Sequence, residues 1–273
     1  MRFISILCLL SCLLPLSATE PAERPVTASY MIGAGSSRLA DTYLSPLSYS
    51  GWHTEVAYSR MQAPRLNPER LTMTVDVNLG LDRALNPARN ATMWGLLLHA
   101  EWGLLRRWAL PGAVTLAAGG SVAAEGGVLY NSRNGNNPAS AKGAATLNFA
   151  ALAAWHTHIG RIPLTLSYHT SIPLVGAFFA PDYGELYYEI YLGNRSGLVH
   201  AAWPGSYFRF DNLLAADIRL GRATSLRLGY GARVFSSKAS DIVTRNISHS
   251  FIIGVSGSWI SLGSPAKRVI NAY

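Results

Sequence analysis

From Leu71 to Asp82 the chain alternates apolar and polar side chains without a break. Leu71, Met73, Val75, Val77, Leu79 and Leu81 fall on one side; Thr72, Thr74, Asp76, Asn78, Gly80 and Asp82 fall on the other. Successive side chains of a strand point to opposite faces, so this period predicts a strand with one apolar and one polar face. The period returns several times. Phe208, Phe210, Leu214, Ala216, Ile218 and Leu220 oppose Arg209, Asp211, Asp217 and Arg219. Leu226, Leu228, Tyr230 and Val234 oppose Ser225, Arg227, Gly229 and Arg233. Ile247, Phe251, Ile253, Val255 and Trp259 oppose Ser248, Ser250, Gly254, Ser256 and Ser258.

Ten segments carry enough of this pattern to be strands: 26–35, 50–61, 70–82, 92–107, 112–126, 143–158, 162–175, 206–220, 223–236 and 246–260. Most reach the roughly 9–11 residues of a tilted membrane-spanning strand. With the N-terminus in the periplasm, the connections 62–69, 108–111, 159–161 and 221–222 become short periplasmic turns. The connections 36–49, 83–91, 127–142, 176–205 and 237–245 become longer outer loops. Trp52, Trp94 and Phe208 then mark one membrane interface, and Trp108, Trp155 and Trp259 the other, where indole rings favour the boundary between lipid and water. The fold class predicted is all-β: an antiparallel up-and-down transmembrane β-barrel of about ten strands. A further hairpin around Tyr187–Leu192 would raise the count to twelve. A soluble sandwich would also alternate, but its strands average about 5–6 residues.

Composition narrows this further. Hydrophobic residues make up 49% and charged residues 14% of the 273 residues, against about 25% charged in ordinary soluble proteins. Beyond the N-terminus no apolar run is long enough for a membrane helix. Residues 1–18 read as a signal peptide: Arg2 supplies the positive start, Phe3 to Leu16 the apolar stretch, and Ser17 and Ala18 the cleavage region. Residues 19–273 are then the barrel domain. Cys8 and Cys12 both fall in the leader, so the mature barrel would hold neither disulfides nor thiolate metal sites. Leu9-Leu10-Ser11-Cys12 faintly resembles a lipoprotein cleavage box, with a short apolar run before it. The formal charge of +8 is spread without a dense basic cluster, so nucleic acid is not expected as a partner.

Several segments carry a resemblance. Asp41-Thr42-Tyr43-Leu44-Ser45-Pro46-Leu47, Asn67-Pro68-Glu69-Arg70, Tyr130-Asn131 through Asn136-Asn137-Pro138, and Tyr187 through Arg195 look like an uncharacterised family of Bacteroidetes outer-membrane barrel proteins, a domain of unknown function. The resemblance runs over nearly the whole mature chain. It implies the barrel fold and an outer-membrane location, and no catalytic residues.

Candidate chemistry is sparse. His169-Thr170-Ser171 has the His-x-Ser spacing of a strand-borne lipid hydrolase, with Asp182 or Glu185 available to orient the histidine. The register places His169 and Ser171 on the polar face, whereas lipid arrives on the other, and Ile172 stands where an Asn is customary. A rim protease would need Asp-x-His or Asp-x-Asp pairs to activate water, and the sequence has none. His156 and His158 share a face and could hold a metal. With no third ligand evident, hydrogen bonds to Glu101, Glu125 or Asp217 are the simpler expectation. No catalytic residue, metal or cofactor is therefore assigned.

The polar faces suggest a charged lumen of His53, Glu55, Asp76, Asp82, His99, Glu101, Arg107, Glu125, His169, Arg209, Asp211, Asp217, Arg219, Arg227 and Arg233. Both signs occur in similar numbers, which favours a paired, occluded interior over a pore in a barrel this narrow. The 176–205 excursion carries Phe178, Phe179, Tyr183, Tyr187, Tyr188, Tyr191 and Trp203. These either recognise a glycan, lipid head group or protein, or pack as a cap over the mouth. The expectation is a structural or ligand-binding barrel, with a small channel as the alternative and an outer-membrane hydrolase a distant third. Its expected partners are membrane lipid, the barrel assembly machinery and a ligand at the outer loops.

Overall fold

The computed structural model describes residues 23–135, 137–181, 187–193, 197–221, 223–259 and 269–272. The leader 1–18 lies outside them. Eleven strands follow in order: β1 Val26–Asp41, β2 Ser45–Gln62, β3 Leu71–Leu85, β4 Thr92–Leu110, β5 Val114–Asn131, β6 Ala139–Ile159, β7 Ile162–Phe179, β8 Val199–Ala202, β9 Tyr207–Arg219, β10 Thr224–Ala239 and β11 Ile242–Trp259. Each pairs antiparallel with its neighbours. β1 joins β11 over sixteen register positions, Val26↔Trp259 to Asp41↔Thr244, and so closes the ring. β8 pairs only with the last four residues of β7, and β7 pairs with β9 below it. Ten strands form the barrel. The twelve-strand alternative is wrong: Tyr187–Tyr191 is a short helix, α1.

Connections differ from expectation at the end of the barrel remote from the termini. Residues 36–49, read as a loop, are mostly strand, because β1 and β2 continue to a tight turn at 42–44. The segment 237–245 likewise shrinks to a two-residue turn at 240–241. The far end thus projects as extended sheet as much as loop. One irregularity matters: Leu147 pairs with Val175 and Asn148 with Pro173, so Leu174 is bulged out of β7. A bulge inserts one residue and reverses the alternation beyond it. His169 and Ser171 point inward before it, and Phe178 points inward after it.

The outward face is apolar and exposed over most of its height, with Tyr30, Ile32, Val56, Leu96, Leu98, Phe251, Ile253 and Val255 all uncovered. Contiguous apolar surface of this extent is not tolerated in water, and it suits the lipid-facing band of a membrane barrel. Trp52 lies edge-on to Trp94 at 6.0 Å, and the Arg83 guanidinium stands 5.6 Å over the Trp94 ring. Trp108 carries Arg106 in the same way near the terminus-bearing end. Trp155 is exposed, Phe208 is half-buried, and the Trp259 side chain lies outside the described residues.

Candidate functional site: a filled lumen

The interior has three layers. The far end is apolar. Leu39, Leu44, Tyr49, Ala84, Ala91, Met93 and Leu129 form one buried cluster under the 42–44 turn. Phe178, Ala180, Ala202, Tyr207, Phe235 and Ala239 form a second. Tyr207 links Phe178 at 5.4 Å and Phe235 at 5.3 Å between ring centroids. Between the two clusters the Lys142 ammonium meets the fully buried Asp41 carboxylate at 2.7 Å and donates to Thr244 at 2.8 Å. An alternating chain puts apolar side chains on the outside; at this mouth it also puts them inside.

The middle layer is charged, and most of its carboxylates meet an arginine or histidine. Arg233 bridges to Glu55 at 2.6 Å, and Glu55 also accepts from Ser250 and Asn78. His53 meets Asp82 at 2.8 Å. Arg209 pairs with Glu125 and with Asp211 at 2.5 Å. His99 reaches Glu101 at 3.3 Å, and Glu101 also accepts from Ser121 and, at 2.9 Å, from Ser171. Arg227 grips Asp217 through two contacts of 2.8 and 2.6 Å, the planar fork of guanidinium on carboxylate. Ser256 adds a third at 2.6 Å. Inward glycines make room for these groups: a Cβ on Gly33 would lie 2.8 Å from Glu55 Cγ.

The remaining space in this layer is small. A cavity of 70 Å³ is lined by Asp76, His99, Glu101, His169, Ser171 and Asp211, among others. Asp76 Oδ2, His99 Nδ1, His169 Nε2 and Asp211 Oδ1 are buried without a hydrogen-bond partner in the protein. The cavity has room for about two waters at the volume each takes in the liquid. His169 faces Asp76 at 3.8 Å, while Ser171 binds Glu101, so the His-x-Ser pair points inward and its two members turn to different partners. Asp182 and Glu185 lie outside the described residues. Among the described residues no three His, Cys, Asp or Glu side chains gather as a metal site.

Toward the termini the lumen widens into a vestibule of 680 Å³, lined by His156, His158, Asp217, Arg219 and Ser256 among others. Here His156 bonds Thr165 at 3.0 Å, a partner that the strand pattern did not suggest. Strand spacing puts Thr165 directly opposite it. The segment 269–272 folds back into this opening. Ala272 is 3% exposed and packs with Met61, Leu105, Ala117, Ala150 and Leu152. Its carbonyl accepts from Thr72 at 2.6 Å. Arg107 donates to the carbonyls of Asn271, Pro68 and Glu69, so it ties the tail to the rim and carries none of the lumen pairing. Nothing in the strand pattern signals this tail.

The aromatic excursion divides. Phe178 and Phe179 belong to β7 and not to a loop, and Phe178 is buried in the far-end cluster because the Leu174 bulge turns it inward. Tyr187 is half-buried, edge-on to Tyr43 at 5.9 Å, and its hydroxyl accepts from the Ala141 amide at 2.6 Å. Burial pushes the Tyr187 phenol above its ordinary range. Tyr188 and Trp203 are exposed. Tyr183 and the Tyr191 side chain lie outside the described residues.

No curated protein matches the chain. Solved structures similar to it include the outer membrane protease OmpT from Escherichia coli, at 7% identity and TM-score 0.47 over 89% of this chain and 99% of that one. The transport unit of the autotransporter AIDA-I from Escherichia coli follows at 8% identity and TM-score 0.42, over 91% and 94%. The translocator domain of the autotransporter NalP from Neisseria meningitidis is similar at 11% identity and TM-score 0.37, over 89% and 91%. Likeness this distant carries no activity across. A family model matches residues 2–264, and the chain belongs to that family, the proteins of unknown function DUF3316.

Proposed function

We propose that the protein is an outer-membrane barrel with both termini in the periplasm, reached after removal of the leader 1–18. Its lumen is closed, and its role is structural or ligand-binding at the far end. The observation that carries this reading is the filled interior: opposite charges pair across the middle layer, and two apolar clusters stand above them. A pore needs a continuous polar path, and a one-sign constriction would mark its selectivity. Here Arg209, Arg227 and Arg233 stand among the carboxylates they bind, so both signs line the same layer. The exposed Tyr188 and Trp203 offer the far-end contact surface for a glycan, head group or protein. Membrane lipid and the barrel assembly machinery are the other partners of such a chain. No catalytic role is assigned, since Ser171 is engaged by Glu101 and turned from the lipid.

Recording in planar bilayers tests the reading. Folded protein should insert without stable conductance steps; steady conductance on the nanosiemens scale would defeat the closed lumen. The 680 Å³ vestibule supports a second reading, a gated transporter whose far-end clusters move aside. Conductance that appears only after Phe178 and Phe235 are cut to alanine would favour it.

A further inference from the structure

One band of the outer wall breaks the apolar rule. Ser36 pairs in register with His249, His249 with Ala232, Ala232 with Asn212 and Asn212 with Thr170. All stand on the outward face by strand parity. Ser36 Oγ and His249 Nε2 are hydrogen-bonded at 2.8 Å at an exposed position. Asn212 accepts from the Tyr168 hydroxyl and from Thr170 at 3.2 Å. Trp52, directly across from Ser36, is exposed beside them, and indole favours the membrane interface.

Toward the far end from this band the wall turns basic. Arg38, Arg245 and Lys238 are exposed and stand on adjacent strands β1, β11 and β10. Arg245 pairs with Ala40 and Arg38 with Ile247, which sets the two arginines diagonally across one strand pair. Lys238 pairs with Val243 and Arg245 with Ser236, the same diagonal again. Asp241, in the adjoining turn, is exposed, and among the described residues no ion pair joins it to any of the three. Toward the termini the wall is apolar and exposed at Ile32, Phe251, Ile253 and Val255.

We propose that this wall is a binding site for an anionic lipid with a phosphate head group. Arg38, Arg245 and Lys238 take the phosphate, as guanidinium and ammonium groups at a membrane surface do. The Ser36–His249 pair lies at the depth of the acyl ester and offers it a hydrogen bond. The acyl chains run along Ile32, Ala34, Phe251 and Ile253. The vertical order cationic, polar, apolar matches the order of phosphate, ester and hydrocarbon in a lipid leaflet. Among the described residues His249 is bonded to Ser36 and to no carboxylate, so the site is assigned to binding and not to ester cleavage. The inference rests on the membrane location proposed above.

The test uses the full chain in nanodiscs of mixed phosphatidylcholine and phosphatidylglycerol, with retained lipids counted by native mass spectrometry. The wild type should keep phosphatidylglycerol above its bulk share. Arg38→Gln with Arg245→Gln should cut that retention by roughly tenfold or more, from the loss of two surface cations. Arg106→Gln at the other rim should leave it unchanged, and so should added inorganic phosphate. Should the double variant fail the heat-shift test of folding, Lys238→Gln, at an exposed strand end, reads the same loss in smaller measure. Retention at the bulk share, a double variant equal to wild type, or displacement of the lipid by inorganic phosphate would overturn the site. Fatty acid release that depends on Ser36 and His249 would overturn it in favour of hydrolysis. Failure of the wild type to enter lipid at all would defeat the membrane location itself, a result distinct from the others.

Discussion

Removing the Arg233 side chain by Arg233→Met should destabilise the barrel, and restoring neutrality at Glu55 should recover part of the loss. The pair is 2.6 Å apart, with the Glu55 side chain 1% exposed and Arg233 20% exposed. At an effective dielectric constant near 20 the gross attraction is about 6 kcal/mol. Most of that is offset by taking two ions out of water, so the pair itself contributes little net. The single substitution is different. Arg233→Met strands a buried carboxylate whose other partners are Ser250 and Asn78, with His53 4.0 Å away. Such a loss costs about 3–5 kcal/mol. Glu55→Gln in the same background keeps the shape and removes the stranded charge, so the double variant should regain roughly 2 kcal/mol. The assay is urea unfolding of detergent-refolded protein, followed by tryptophan fluorescence and by the heat-dependent gel shift of a closed barrel. If Arg233→Met lies within about 0.5 kcal/mol of wild type, or if the two substitutions simply add, the buried-network argument fails.

Three further outcomes follow from the packing. Phe235→Ala removes a ring from the far-end cluster and should cost about 3–5 kcal/mol in the same unfolding assay; a change under about 1 kcal/mol would mean the mouth is not packed. Gly33→Leu forces a side chain into the space held by Glu55 and should cost about 1–3 kcal/mol, while the outward neighbour Ala34→Leu should be tolerated; equal effects would refute the inward assignment of Gly33. Thr72→Val deletes the hydrogen bond to the Ala272 carbonyl, worth about 1 kcal/mol. It should speed carboxypeptidase trimming of the tail without shifting global unfolding, and an unchanged trimming rate would show that the tail is not held there.

The strands were legible because lipid on one side and packed polar groups on the other impose a strict period of two. Leu71–Asp82 needs no tertiary information to be read as a two-faced strand. The inward charges were legible for the same reason: Glu55, Asp217 and Arg233 stand on polar faces whatever the neighbours are. Which acid meets which base was not, because a pair such as Glu125 with Arg209 joins strands far apart in sequence across the lumen, and only closure of the ring brings them together. Phe178 reads as loop because one bulged residue at Leu174 reverses the alternation, and a single insertion leaves no mark in the segment 172–180, which has no polar side chain. His249 and Asn212 each look like an isolated break in an apolar face. Strand register alone lines them up in one row with Ser36 and Thr170, as two polar pairs on either side of Ala232. The sequence by itself determined that this chain makes two-faced strands in membrane-spanning number. The tertiary structure decided how the lumen is filled, where the tail docks and what the outer wall presents, since these depend on shear and closure and not on the order of residues within a strand.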